Sequence, residues 1–204
     1  MTTSLQNRQP PRLFDLVGVE LPPPRLSESA LLIIDAQREY IDGRLPLPDI
    51  ADSLAVGERL LARARQLGTP IIHVLHRGNA ALFDPAGPGF APAPPLRPAP
   101  GETIVEKTTA NAFNGTRLAE ILAATGRRHL IVIGYMTHNC VDSTVRAALD
   151  LGYRSAIVAT ATGSRDLPDG HGGRISAADL HAAYLAGLAD SIAQVVADDA
   201  AIAD

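Results

Sequence analysis

The sequence predicts an α/β protein in three layers, a parallel sheet with helices on both faces, and three features carry that expectation. Short apolar runs rich in Ile and Val recur without polar alternation, which is the pattern of strands buried on both faces. Longer segments with helical spacing of apolar residues separate them. Glycine closes three of those segments, at Gly68, Gly126 and Gly152, where a left-handed C-cap favours a residue without a side chain. Strand and helix in alternation imply parallel strands joined by crossovers.

In chain order, the expected strands are residues 30–35 (ALLIID), 69–76 (TPIIHVLH), 102–107 (ETIVEK), 129–134 (HLIVIG), 154–160 (RSAIVAT) and 192–197. The expected helices are 50–67, 115–125, 138–151 and 176–188. Ahead of them, residues 1–28 carry Pro10, Pro11, Pro22, Pro23 and Pro24. Two proline clusters do not fit a helix interior, so this stretch is expected to be an extended arm lying on the domain or on a neighbouring subunit. Residues 29–204 then form a single domain. Two loops interrupt the rhythm: 77–101 is dense in Pro, Gly and Ala, and 163–174 (GSRDLPDGHGGR) is Gly-rich and polar. Long loops in compact α/β domains are commonly lids or binding loops.

At 204 residues, one core buries about two-thirds to three-quarters of the unfolded surface, so neither disulfide nor metal is needed for stability. Net charge −4 and a pI near 5.8 argue against nucleic acid as a partner, which requires clustered Lys and Arg. No apolar run has signal-peptide or membrane-spanning length, so a cytoplasmic protein without a membrane partner is expected. The single cysteine, Cys140, excludes an intramolecular disulfide and a cysteine-rich metal site, and fits a reducing compartment.

Ligands of open parallel sheets bind beyond the carboxyl ends of the strands. Asp35 leaves the first strand there, Lys107 the third, and Cys140 follows the fourth across a short turn. In GYMTHNCVDST, Thr137 reads as an N-cap for a helix from His138, with Cys140 at the third helical position. Free N–H groups and the helix dipole would then lower the thiol pKa and offer donors to an oxyanion, with Lys107 pushing the same way. Asp35 would accept the thiol proton. Singly, each residue also has a plain packing or turn role; the joint placement points to chemistry.

Three stretches resemble the isochorismatase-like superfamily of cysteine hydrolases. LLIIDAQREY is similar to its opening Asp strand, EKTTANAFNGTRL to its lysine segment, and IVIGYMTHNCVDSTVRAALDLGY to its nucleophile turn. The likeness spans about residues 30–196, nearly the whole domain. It implies a six-stranded parallel sheet in the order 3-2-1-4-5-6 and a catalytic triad of Asp35, Lys107 and Cys140. It further implies a cis Tyr135–Met136 peptide and an oxyanion hole built from the N–H groups of Met136 and Cys140. The implied reaction is attack of the Cys140 thiolate on an amide carbonyl, with Asp35 as base and then acid, and a thioester that water hydrolyses. Family members commonly form dimers or tetramers, so a homodimer or homotetramer is expected.

Departures from subfamilies narrow the activity. Nicotinamidases of this superfamily carry an Asp-x-His metal motif after the first strand, whereas REYIDGRLPLPDI has Asp42 and no histidine. No metal and no other cofactor is therefore expected. His73 and His76, three apart on one strand, point to opposite faces and read as a packed histidine and a loop-facing one. Isochorismatases that hydrolyse a vinyl ether tend to lack the cysteine, so THNC favours C–N cleavage. The reading is a metal-independent cysteine amidohydrolase for a small amide, carbamoyl or lactam substrate. Candidate substrate contacts are Gln37, Tyr40, Phe83, Asn111, Phe113, Tyr135 and His138, with Phe90 also near the active edge; Arg165, Asp166 and His171 lie in the second loop. An ether hydrolase using Asp35, a non-catalytic binding relative, and a thiol-redox protein lacking a resolving cysteine stand as alternatives.

Overall fold

The computed structural model describes residues 9–204. Its centre is a six-stranded parallel sheet of β1 (Ser29–Ile34), β2 (Ile71–His76), β3 (Thr103–Lys107), β4 (His129–Tyr135), β5 (Arg154–Gly163) and β8 (Gln194–Val196). A two-stranded ribbon, β6 (Leu167–Pro168) and β7 (Arg174–Ile175), lies between the last two in sequence. The sheet order is β3-β2-β1-β4-β5-β8, the 3-2-1-4-5-6 arrangement with β8 as sixth strand. The order reverses beside β1, between the strands that deliver Asp35 and Cys140.

All six residues of β1 are buried, as a strand covered on both faces requires. Leu31 and Ile33 join Ile131, Ile133 and helix α2 (Ile50–Leu67) through Leu54, Leu60, Leu61 and Ala64. Ala30, Leu32 and Ile34 face the other way. They pack with α3 (Leu118–Ala124), α4 (Asp142–Asp150) and α5 (Ala177–Ser191) through Leu118, Leu122, Val145 and Leu188. Each buried Leu or Ile contributes about 1.5–3 kcal/mol. The cores are thus nearly all aliphatic.

Helix boundaries follow local chemistry. Gly68, Gly126 and Gly152 adopt positive φ of 66°, 68° and 82° where their helices end. Ser176 caps α5 by accepting the Asp179 N–H. The third helix starts at Leu118, later than its sequence signal, because residues 111–116 are held in turns: Asn111 Oδ1 accepts the Phe113 N–H and Thr116 Oγ1 accepts the Leu118 N–H. Gly134 is a steric requirement: its φ is 114° and an added Cβ would lie 1.9 Å from the Ile34 carbonyl oxygen.

The amino-terminal stretch departs from a purely extended arm; its residues 1–8 lie outside the described residues. A single helical turn, α1 (Leu13–Leu16), forms because Asp15 accepts the Arg12 N–H and pairs with its guanidinium. It is tied to α5 by the Leu13 N–H on Asp190. The loop after β2 contains two 3-10 turns, Pro88–Phe90 and Pro94–Leu96. In the second loop, Asp169 accepts the N–H groups of His171 and Gly173, closing the β6–β7 ribbon where the sequence suggested no structure. No described helix is long and apolar enough to cross a membrane.

Candidate active site

Asp35 leaves β1 with φ 49°, in the left-handed region that Asp tolerates better than most residues. Its side chain, fully buried, takes a hydrogen bond from the Lys107 ammonium at 2.7 Å, and the Lys107 side chain is equally buried. The same ammonium donates to Cys140 Sγ at 3.2 Å and to His76 Nδ1 at 3.0 Å. The three residues read from the sequence as a reacting set therefore meet around one nitrogen. The second oxygen of Asp35, Oδ1, is buried without a hydrogen-bond partner, an acceptor left open beside the thiol.

Cys140 sits differently from the expectation. The turn after β4 is a π-turn, Thr137–Val141, in which the Val141 N–H reaches back five residues to the Met136 carbonyl, and the α-helix begins only at Asp142. Thr137 caps nothing; its hydroxyl pairs with His181 Nδ1 at 2.9 Å. The Tyr135–Met136 peptide is cis.

The expected fall in the thiol pKa is also corrected. Burial pushes the Cys140 thiol up to about 12, the Asp35 carboxylate adds to the push, and Lys107 opposes it. Removing water and placing an anion nearby outweigh the pull of the Lys107 ammonium. Burial likewise raises the Asp35 carboxyl against the pull of Lys107, making it a stronger base than an exposed Asp. Cys140 thus rests as a thiol beside Asp35.

A cavity of about 470 Å³ opens on Cys140, in the usual size range for small-molecule sites. Tyr40, Phe83, His76, Met136, Asn139 and Arg165 are among its walls. Of the sequence-predicted contacts, only Tyr40 and Phe83 line it. Gln37 is buried and serves as a clasp: its amide donates to the carbonyls of His76 and Phe90 and accepts the His76 N–H. It holds the lid loop and orients neither acid nor substrate. Asn111 is spent on its own turn, and Phe113 stacks on Tyr153 with centroids 6.3 Å apart. Tyr135 donates to Ser53 Oγ and belongs to a separate cavity of about 600 Å³ that does not reach the triad. His138 pairs with Ser164 and packs on Tyr184. With Gln37, five of the seven predicted contacts miss the cavity, because position near a strand end does not set side-chain direction.

Three residues enter that the sequence reading had not placed there. His73 does pack away, bonding Glu102 at 2.7 Å, while His76 meets Phe83 of the following loop, as expected, and also turns Nδ1 to Lys107. The parallel register pairs His76 with Lys107, so both side chains leave the sheet on one face. Asn139 reaches the cavity through the π-turn. Arg165 reaches it from the second loop, with Nε buried and unpartnered, while Asp166 and His171 are exposed. The donor atoms of Asp35, His76 and Cys140 lie within 4.8 Å of one another, a spacing suited to a metal tripod. All three already bond the Lys107 ammonium, so a side-chain cation stands at their centre.

Comparison with known proteins adds the following. The family model described as the isochorismatase domain matches residues 29–197. The crystal structure of an isochorismatase from Pseudomonas putida KT2440 superposes with a TM-score of 0.91 at 44% identity, covering 95% of this chain and all of that one. A secreted isochorismatase effector of Verticillium dahliae is 33% identical over 89% of this chain and 94% of its own length. Streptothricin hydrolase of Streptomyces noursei is 36% identical over 68% of this chain and only 51% of its own. Maleamate amidohydrolase of Pseudomonas putida is 29% identical over 67% of this chain and 72% of its own.

Proposed function

The chain belongs to the isochorismatase family, and from that premise we propose that it is a metal-independent cysteine amidohydrolase acting on a small amide, carbamoyl or lactam substrate. The observation that carries the reading is the buried cluster in which one Lys107 ammonium bonds both Asp35 and Cys140 while Asp35 Oδ1 stays open. The presence of amidohydrolases among the relatives supports it. A vinyl-ether hydrolysis would leave Cys140 without a task.

In the proposed mechanism, Asp35 takes the thiol proton as Sγ forms a bond to the substrate carbonyl carbon. The N–H groups of Met136 and Cys140, whose residues both line the cavity, hold the oxygen as it becomes an anion. Each such donor lowers the barrier by on the order of 3 kcal/mol. The C–N bond then breaks as the nitrogen takes the proton from Asp35, leaving a thioester. Water attacks that carbonyl while Asp35 removes its proton, and the C–S bond breaks with the proton returned to sulfur. Lys107 balances the charge moving between Asp35 and Cys140.

Arg165 refines the substrate class. A buried guanidinium N–H without an acceptor costs stability until a ligand oxygen meets it, which favours an amide that also bears a carboxylate or similar anion. The test is a panel of primary amides, ureido acids and cyclic lactams, each with neutral and anionic members, followed by ammonia release or ring opening. Cys140→Ala is expected to lose about three or more powers of ten on the best substrate. Activity surviving that substitution would sink the thioester reading; loss on chelation, restored by zinc, would sink metal independence.

A further inference from the structure

We infer that His76 is a fourth member of the reacting assembly, a positioning residue that holds the Lys107 ammonium between Asp35 and Cys140. The inference rests on the reading of Asp35, Lys107 and Cys140 as the reacting set. An ammonium has three hydrogens, and here three acceptors meet it at 2.7, 3.0 and 3.2 Å: Asp35 Oδ2, His76 Nδ1 and Cys140 Sγ. Because the Lys107 side chain is fully buried, a hydrogen left without its acceptor has no bulk water to turn to. The contact to sulfur, the weakest acceptor of the three, is the first to give if the ammonium swings.

The same bond sets the state of the histidine. An ammonium only donates, so His76 Nδ1 must carry its lone pair and the ring proton must sit on Nε2. The ring is held to that role from three sides. Gln37 clamps its backbone N–H and carbonyl, at 2.8 and 3.1 Å. Phe83 meets the ring edge-on with centroids 5.1 Å apart. The β2–β3 register fixes its Cα beside that of Lys107. Burial and the Lys107 charge together push the imidazole down to about 4, consistent with a neutral ring. His76 thus completes the ammonium's coordination without adding a charge that would compete with Asp35 for the thiol proton.

Two measurements on the full chain test this. Long-range proton–nitrogen NMR of the resting protein should show His76 as the Nε2–H tautomer, unchanged between pH 5 and 8; an Nδ1–H tautomer or an imidazolium at pH 7 overturns the inference. Kinetics then separate position from packing. His76→Phe keeps the ring contact but has no acceptor, and is expected to lower kcat about tenfold or more with KM nearly unchanged, as misplacement of a reacting group does. His76→Asn supplies an amide oxygen and should recover most of that loss. Phe tolerated as well as His, or Asn no better than Phe, overturns it. Iodoacetamide labelling of Cys140 should slow in the Phe variant and recover in the Asn variant, a readout independent of substrate. If Cys140→Ala keeps its hydrolysis, the reaction reading has failed; if Cys140→Ala is dead and Phe is tolerated, only the role of His76 has failed.

Discussion

Replacing Asp35 by Asn should make Cys140 easier to alkylate and the protein worse at hydrolysis. With the thiol at about 12, only on the order of one Cys140 in ten thousand is ionised at pH 8. The carboxylate stands within 4.8 Å of sulfur, and at an effective dielectric of about 20 two unit charges at that distance repel by about 3.5 kcal/mol. Removing the charge raises the thiolate population by roughly 300-fold, since about 1.4 kcal/mol is a factor of ten. A thiolate of lower pKa is a weaker nucleophile, so the labelling rate should rise by roughly twentyfold. Hydrolysis should fall by about 10²–10⁴, the usual worth of a positioned general base. The assay is iodoacetamide labelling at pH 8 followed by intact mass, beside turnover of the best panel substrate. Lys107→Met is the paired control: it removes the cation 3.2 Å from sulfur and should slow labelling. Slower labelling in Asp35→Asn would refute the argument, because it would mean that the carboxylate activates the thiol before substrate arrives.

Gly134→Ala should cost more than about 3 kcal/mol in urea unfolding, since its Cβ would overlap the Ile34 carbonyl at a strained φ; a loss under about 0.5 kcal/mol contradicts the close approach. Gln37→Leu keeps most of the volume but strips three hydrogen bonds from the backbone of His76 and Phe90. It should lose about 2–4 kcal/mol and expose residues 77–101 to limited proteolysis. Stability should also fall at high pH. The fold holds the Cys140 thiol at about 12 against 9.0 for a free thiol, so its contribution is present in full below pH 9 and lost as the pH rises towards 12. The total is on the order of 4 kcal/mol. Cys140→Ala should remove the part of the slope that begins near pH 9, below the range in which the buried Tyr40 and Tyr135 hydroxyls add to it, and an unchanged slope there assigns it elsewhere.

Periodicity carried the strands because burial on both faces leaves a simple trace: ALLIID and HLIVIG contain almost no polar residue to misread. Helix starts were less legible. The sequence places helices from residues 115 and 138, yet side-chain hydrogen bonds at Asn111 and Thr116 and a π-turn at Thr137–Val141 delay regular α-helix to Leu118 and Asp142. For the site, residue type at a strand end together with the family resemblance singled out Asp35, Lys107 and Cys140. It was not enough to tell Tyr40 and Phe83, which line the cavity, from Phe113 and Tyr135, which turn away.

What the sequence by itself determined is therefore the alternation of elements, the edge of the sheet where chemistry gathers, and the three side chains that meet there. These depend on local composition and on chain direction, which a linear string contains. Tertiary structure alone decided the electrostatics and the walls. The Cys140 thiol is driven up instead of down because burial and a neighbouring carboxylate act through space. His76 enters the cluster because β2 and β3 pair in one register, and Arg165 because a loop 25 residues beyond the cysteine folds back over the cavity. Distances between residues far apart in the chain set charge and access, and those distances exist only once the sheet has formed.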